Sequence, residues 1–240
     1  MSKIRLDVYC SDHLKTRAKA QDAIKEGRVT VNGKVITKPS FQIDESNEIQ
    51  IAEKEDDFVS RAGHKLKAAI DTFQIKLAGQ TVLDIGASTG GFSDVCLRQG
   101  AKKVYALDVG HLQLAKELDE DSRIVKMEGY NAKELNPDDF ESVDFICMDV
   151  SFISCKTILD RVFQVMPVSH LAILVKPQFE CGPKALNKQG VLKDKKLQQK
   201  IVEDVKNFVF SKYKTVKVIP SPIVGRSGNQ EFILYAKDLR

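Results

Sequence analysis

The stretch TVLDIGASTGGFSDVCLRQG, from Thr81 to Gly100, decides how this sequence folds. Thr81–Ile85 is an apolar run of strand length, and the residues after Gly91 take helical spacing. Gly86, Gly90 and Gly91 lie between the two, where the chain turns sharply and backbone can approach a nucleotide-type ligand. The turn by itself leaves a dinucleotide, a nucleoside triphosphate and S-adenosylmethionine open. A dinucleotide fingerprint needs glycine where Ser88 stands, and a phosphate cradle needs a Lys-Ser or Lys-Thr pair where Phe92 and Ser93 stand.

Downstream of Phe58 the same alternation continues. A helical run over Ser60–Phe73 precedes the strand-like segments TVLDIG, KVYALDV, RIVKMEG, DFICMDV and LAILVKP. Strands alternating with helices predict an α/β fold with a parallel sheet. TVKVIPSPI and EFILYAKD add two strands that form an antiparallel pair across a Gly/Ser turn.

Upstream the chemistry differs. Positions 1–40 hold nine Lys/Arg against four Asp/Glu, whereas 41–57 hold seven acidic residues against Lys54 alone. The acidic stretch predicts a linker, with one domain over 1–57 and another over 58–240. Leu14, Ala18, Ala20 and Ile24 recur at roughly helical spacing and end at Gly27, and Asn32-Gly33 inside RVTVNGKVI is a strong hairpin signal. Arg17, Lys19, Lys25 and Arg28 would then form a compact cationic face.

The chain has 240 residues, 42% hydrophobic and 29% charged, with a net charge of +4, as in an ordinary globular protein with a mild preference for anionic partners. The charged start is unlike a signal peptide, and no apolar run reaches the roughly 20 residues of a membrane helix, so the expected location is cytoplasmic. Cys10, Cys96, Cys147, Cys155 and Cys181 are scattered and read as small buried apolar residues. The dispersed His13, His64, His111 and His170 predict no metal site.

Arg5-Leu6-Asp7, the run Ile24-x-x-Gly27-x-Val29-x-Val31-Asn32-Gly33 and Lys38-Pro39 resemble, over about residues 4–51, the RNA-binding domain named after ribosomal protein S-four. That resemblance implies a small α+β domain gripping structured RNA by shape and phosphate, with Arg5 among its cations. The form Asp84-x-Gly86-x-x-x-Gly90-Gly91 resembles the first motif of Rossmann-like S-adenosylmethionine methyltransferases, which implies cofactor contacts at Asp84, Gly86, Ser88, Gly90 and Gly91. Asp108 closes the second strand, where a carboxylate accepts the ribose hydroxyls; Asn131 follows the third, near the adenine, and Asp149 closes the fourth. The competing role for such acids is to cap the helices that follow.

Lys65, Asp149, Lys176 and Glu231, in that order, resemble the catalytic tetrad of FtsJ-type ribose 2′-O-methyltransferases. VSRAGHKL, DIGASTGGF, DVSFIS, LVKPQFE and SGNQEF together resemble the TlyA family of hemolysin-named rRNA 2′-O-methyltransferases. The implied substrate is ribosomal RNA or a ribosomal subunit, with cytidine as the nucleotide. A ribose hydroxyl is a weak nucleophile that must be oriented and relieved of its proton, and the resemblance gives that part to Lys176. Asp149 and Glu231 would balance the lysines, and Lys65 would help position the ribose. Residues 182–200 carry six lysines and one aspartate, and are expected to form a loop gripping RNA backbone, with Lys184 and Lys188 among its contacts. A cytolysin would instead need an amphipathic or membrane-spanning segment. A non-catalytic RNA-binding factor would need neither the glycine turn nor the lysines.

Overall fold

The computed structural model describes residues 3–14, 16–52, 58–225 and 227–240, so part of the acidic stretch, residues 53–57, lies outside the described residues. The chain divides into two compact units, Met1–Asp57 and Phe58–Arg240.

In the N-terminal unit, β1 (Ile4–Arg5) runs into α1 (Leu6–His13), followed by α2 (Arg17–Lys25), β2 (Val29–Val31), β3 (Lys34–Val35), β4 (Gln42–Ile43) and β5 (Ile49–Ile51). β3, β2 and β5 form an antiparallel sheet, and β1 pairs with β4. Asn32 and Gly33, at φ of 50° and 74°, make the tight turn that the Asn-Gly pair favours. Thr16 caps α2 by accepting a hydrogen bond from the Lys19 amide at 3.2 Å. α2 buries Ala20, Ala23 and Ile24 against Leu6, Cys10, Val29, Val31 and Ile43. Ala18, expected on the apolar face, is exposed because α2 begins at Arg17 and turns that position outward.

The C-terminal unit contains α3 (Ala62–Phe73), β6 (Thr81–Ile85), α4 (Gly91–Arg98), β7 (Lys103–Asp108), α5 (Lys116–Asp119), β8 (Ile124–Glu128), β9 (Phe145–Met148), α6 (Cys155–Val165), β10 (His170–Val175), α7 (Pro177–Glu180), α8 (Lys195–Phe210), β11 (Tyr213–Pro220) and β12 (Phe232–Leu239). The seven-stranded sheet has the order β11-β12-β10-β9-β6-β7-β8. The five strands from β10 to β8 are parallel, and β12 runs antiparallel between β10 and β11.

Every residue of β6 is buried, as a central parallel strand covered on both faces requires. Val82 joins the layer formed by Leu66, Ala69 and Ile70 of α3 with Phe92, Val95 and Cys96 of α4. Leu83 and Ile85 join the opposite layer, with Ile158, Leu159 and Val162 of α6 and Val205 and Val209 of α8. Truncating Leu83, which is 0% exposed, would cost about 2–5 kcal/mol through lost contacts and the cavity left behind. Four cysteines are buried as expected of small apolar residues, while Cys181 is only partly so. Among the described residues no helix is long and apolar enough to cross a membrane.

Candidate active site at the ends of the parallel strands

Strands β6, β9 and β10 finish side by side, with Ile85 opposite Met148 and Met148 opposite Ile173. The residues that follow therefore emerge on one ledge: Gly86, Asp149 and Lys176. β12 runs the other way and pairs Phe232 with Val175, so it delivers the residue before its start, Glu231, to the same end. Lys65 is buried on α3 and reaches the group from above the sheet.

The four side chains form a string of alternating charge. Lys65 Nζ donates to Glu231 Oε2 at 2.6 Å and lies 3.9 Å from Asp149 Oδ2. Lys176 Nζ forms an ion pair with Asp149 Oδ1 at 2.5 Å and donates to Ser151 Oγ at 2.8 Å. Lys65, Lys176 and Glu231 are 8%, 8% and 3% exposed. Two ammonium groups can be buried this far only because two carboxylates balance them.

Around the glycine turn, Gly86 adopts φ +83°, and the amides of Gly86 and Ala87 both donate to the Leu107 carbonyl, at 2.8 and 3.0 Å. A side chain at Gly86 would strike the Asp149 carbonyl oxygen, 2.7 Å from its Cβ position. At Gly90 (φ +90°) the space is taken by Leu114 and Leu118, and at Gly91 by Ser60, Ala62 and Gly63. At these last two glycines the missing Cβ makes room for the protein's own side chains. Asp84, at 0% exposure, faces the core, where Ser93 Oγ donates to its Oδ2 at 2.7 Å. It braces the turn from below and presents nothing to the ledge. Burial pushes its carboxyl up to about 7, with the Ser93 hydrogen bond opposing that rise.

Ser88 is exposed, and its amide donates to Asp108 Oδ2 at 2.8 Å; the Gly110 amide donates to Asp108 Oδ1 at 2.8 Å. Each Asp108 oxygen thus keeps an acceptor site for a further hydrogen bond. Asn131 is exposed and caps the short helix Ala132–Glu134, its Oδ1 accepting from the Lys133 amide at 3.1 Å.

Residues 182–200 are a loop only in their first part. Asn187 closes a turn by accepting from the Gln189 and Val191 amides, both at 2.9 Å, and α8 begins at Lys195 with Asp194 as its cap. Lys184 and Lys188 are exposed in the loop, whereas Lys195, Lys196 and Lys200 lie on the helix. In the N-terminal unit the expected cationic face is partly neutralised from within. Arg5 grips Asp7 with two bonds of 2.9 Å, Arg17 reaches the same carboxylate at 3.1 Å, and Arg28 pairs with Glu26 at 3.0 Å. Lys25 is exposed at the end of α2, and Lys19 is half-buried on it.

Three side chains at the ledge were not singled out by sequence reasoning. Ser151 receives Lys176, Gln178 donates to Glu231 Oε1 at 3.3 Å, and Asn229 ties the lysine loop to the segment preceding β12. All three lie inside motifs already quoted, DVSFIS, LVKPQFE and SGNQEF, and a polar residue two positions from Asp149, Lys176 or Glu231 was the available signal.

Residues 58–238 match the FtsJ-like methyltransferase family, and residues 4–49 match the S4 domain. The chain is 40% identical to hemolysin A of Brachyspira hyodysenteriae, over 97% of this chain and 99% of that protein. It is 37% identical to the 16S/23S rRNA (cytidine-2′-O)-methyltransferase TlyA of Mycobacterium tuberculosis, over 93% of this chain and 85% of that one. The solved structure of a hemolysin-named protein from Streptococcus thermophilus superposes with a TM-score of 0.75 at 36% identity, covering 99% of this chain and 89% of the other. On this evidence the chain belongs to the FtsJ-like methyltransferase family, in the group whose methyltransferase domain follows an S4 domain.

Proposed function

We propose that this protein transfers a methyl group from S-adenosylmethionine to the 2′-hydroxyl of a ribose in ribosomal RNA, a cytidine as in the name of the Mycobacterium relative. The observation that carries the reading is the buried Glu231–Lys65–Asp149–Lys176 string at the strand ends. In the family this order of residues serves ribose methylation, and the named relatives support the substrate.

The residues beside the string suit the donor. Asp108 has two oxygens that each keep an acceptor site, a match for two vicinal ribose hydroxyls, and Ser88 and Asn131 are exposed on either side of it. Gly86 brings backbone against the Asp149 carbonyl, so the turn and the string are one surface. When bound, the donor supplies an electrophilic methyl on a sulfonium.

Once it has released a proton of its own, the Lys176 amine accepts the proton of the ribose hydroxyl as the oxygen attacks the methyl carbon and the carbon–sulfur bond breaks, and the ammonium it then becomes pairs with Asp149. Its ion pair with Asp149 and its bond to Ser151 aim the amine, and Asp149 answers the change of charge as the proton moves. Glu231 fixes Lys65, which steadies the ribose or its phosphate. Aiming of this kind converts a poor nucleophile into a reactive one by orientation. Residues 1–57 act as the RNA-binding domain and 58–240 as the methyltransferase, with Lys184 and Lys188 adding backbone contacts.

The test is reaction of the full chain with undermethylated ribosomal subunits and labelled donor, followed by mass mapping of the nucleosides. The expected product is a 2′-O-methylated cytidine, lost in Lys176→Ala while that variant still binds donor by calorimetry. Label on a base, or undiminished transfer by Lys176→Ala, would overturn the reading.

A further inference from the structure

The segment between β11 and β12 joins three parts of the site. Glu231 stands at its end, and Gly225 packs so closely on the Glu231 carboxylate that a Cβ there would lie 2.6 Å from Oε1. Arg61, just before the helix that carries Lys65, donates to the Val224 carbonyl at 3.3 Å. Asn229, 4% exposed, makes the third connection. Its Oδ1 accepts from the Leu192 amide at 2.9 Å, and its Nδ2 donates to the Gly190 carbonyl at 2.9 Å. Its own carbonyl accepts from the Gly225 amide at 2.9 Å.

The side-chain amide of Asn229 therefore reads the backbone of the lysine loop in both directions, as donor and as acceptor. Such pairing holds a loop in one register, and burial makes each bond costly to leave unmade. Leu192 is 1% exposed, so the loop is anchored at its far end while Lys184 and Lys188 remain in solvent.

We propose that Asn229 is a positioning residue for the reaction: it latches the lysine loop to the segment that carries Glu231, so that RNA held by the loop also fixes the Lys65–Glu231 pair. The consequence for catalysis rests on the methyl-transfer reading, whereas the latch itself does not. Without the two bonds, the loop would still be cationic and would still meet RNA, but its engagement would no longer set the carboxylate that holds Lys65.

The experiment compares the full-length parent, Asn229→Ala, Asn229→Asp and Lys184→Ala/Lys188→Ala. Trypsin cleavage after Lys184 and Lys188 reports the latch without any need for activity, and should accelerate roughly ten-fold in Asn229→Ala. Asn229→Asp keeps the acceptor for Leu192 but loses the donor to Gly190, so its cleavage rate should fall between parent and alanine variant; it also serves if Asn229→Ala fails to fold.

In methyl transfer, Asn229→Ala should lower kcat about ten-fold with donor affinity and ribosomal-substrate affinity unchanged, whereas the double lysine variant should weaken binding of the ribosomal substrate. A parental cleavage rate in Asn229→Ala overturns the latch. Accelerated cleavage with parental kcat, or equal losses of donor affinity and transfer, overturns the positioning role. If even the parent transfers no methyl to ribose, the functional reading has failed, while the cleavage comparison still decides the latch.

Discussion

Asp7 in the N-terminal unit and Asp149 in the C-terminal unit each lie between two basic side chains. Asp7 is 0% exposed and saturated: Arg5 supplies two hydrogen bonds, Arg17 a third and the Gln21 amide a fourth. Planar guanidinium groups suit that task, because their geometry is fixed and their charge constant. Asp149 has lysines instead, one at 2.5 Å and the other at 3.9 Å, and its side chain is 15% exposed. An ammonium is a point charge on a flexible stem that can exchange a proton. The same count of charges thus gives a fastening in one unit and an under-bonded, adjustable group in the other.

Neutralising each aspartate in turn separates the two roles most strongly. Asp149→Asn should lower kcat by about 10²–10⁴ in single-turnover transfer while leaving the melting of the N-terminal unit unchanged. Asp7→Ala should do the reverse. It should destabilise the N-terminal unit by about 2–3 kcal/mol in denaturant, through lost charge-assisted bonds, with single-turnover rate retained at saturating substrate. A catalytic collapse in Asp7→Ala would show that the two carboxylates are not separable in this way.

Acidity sharpens the contrast further, because two buried aspartates respond with opposite sign. Hydrogen bonds from Arg5, opposed by desolvation, hold the Asp7 carboxyl well below the usual carboxylate range. Its stabilisation is complete above the unfolded value near 3.9 and is lost as pH falls through the lower folded value. Asp84 is raised to about 7 by burial. Between about pH 4 and that value the unfolded chain has released a proton that the folded chain retains, so the C-terminal unit loses stability as pH rises through the window. Hydrogen exchange read separately for each unit should show the first weakening below about pH 4 and the second strengthening from neutrality down to it. Asp84→Asn should flatten the second profile and leave the first intact.

The smallest effects concern RNA. Lys184→Ala/Lys188→Ala should reduce the salt dependence of ribosomal substrate binding by a log–log slope of about 1.4–1.8, and Lys25→Ala by about 0.7–0.9. Unchanged slopes would make these side chains solvated surface only.

The strand–turn–helix around Gly86 was legible because Val82, Leu83 and Ile85 make β6 mostly apolar and glycine is needed where φ is +83°. Sequence could show that Gly90 and Gly91 lack side chains, yet not that Leu114, Leu118 and Ser60 fill the space. α1 went unread: its eight residues bury only Leu6, Asp7 and Cys10, too short and too polar a stripe to give a helical period. Lys65 and Glu231, 166 residues apart, came together only through resemblance to a family, since spacing carries no sign of a contact made by a reversed strand. Asn229 was hidden for a related reason: its partners are backbone atoms of another loop, and backbone leaves no trace in composition.

β12 is flanked on both sides, by six residue pairs with β10 and seven with β11, and the residue just before it neutralises Lys65. Closing the sheet and completing the charge balance are consequently a single event. A chain that lost β12 would be left with the Lys65 ammonium short of its nearest carboxylate and with an unzipped sheet margin, so the fragment to expect is an insoluble one rather than a weakened enzyme.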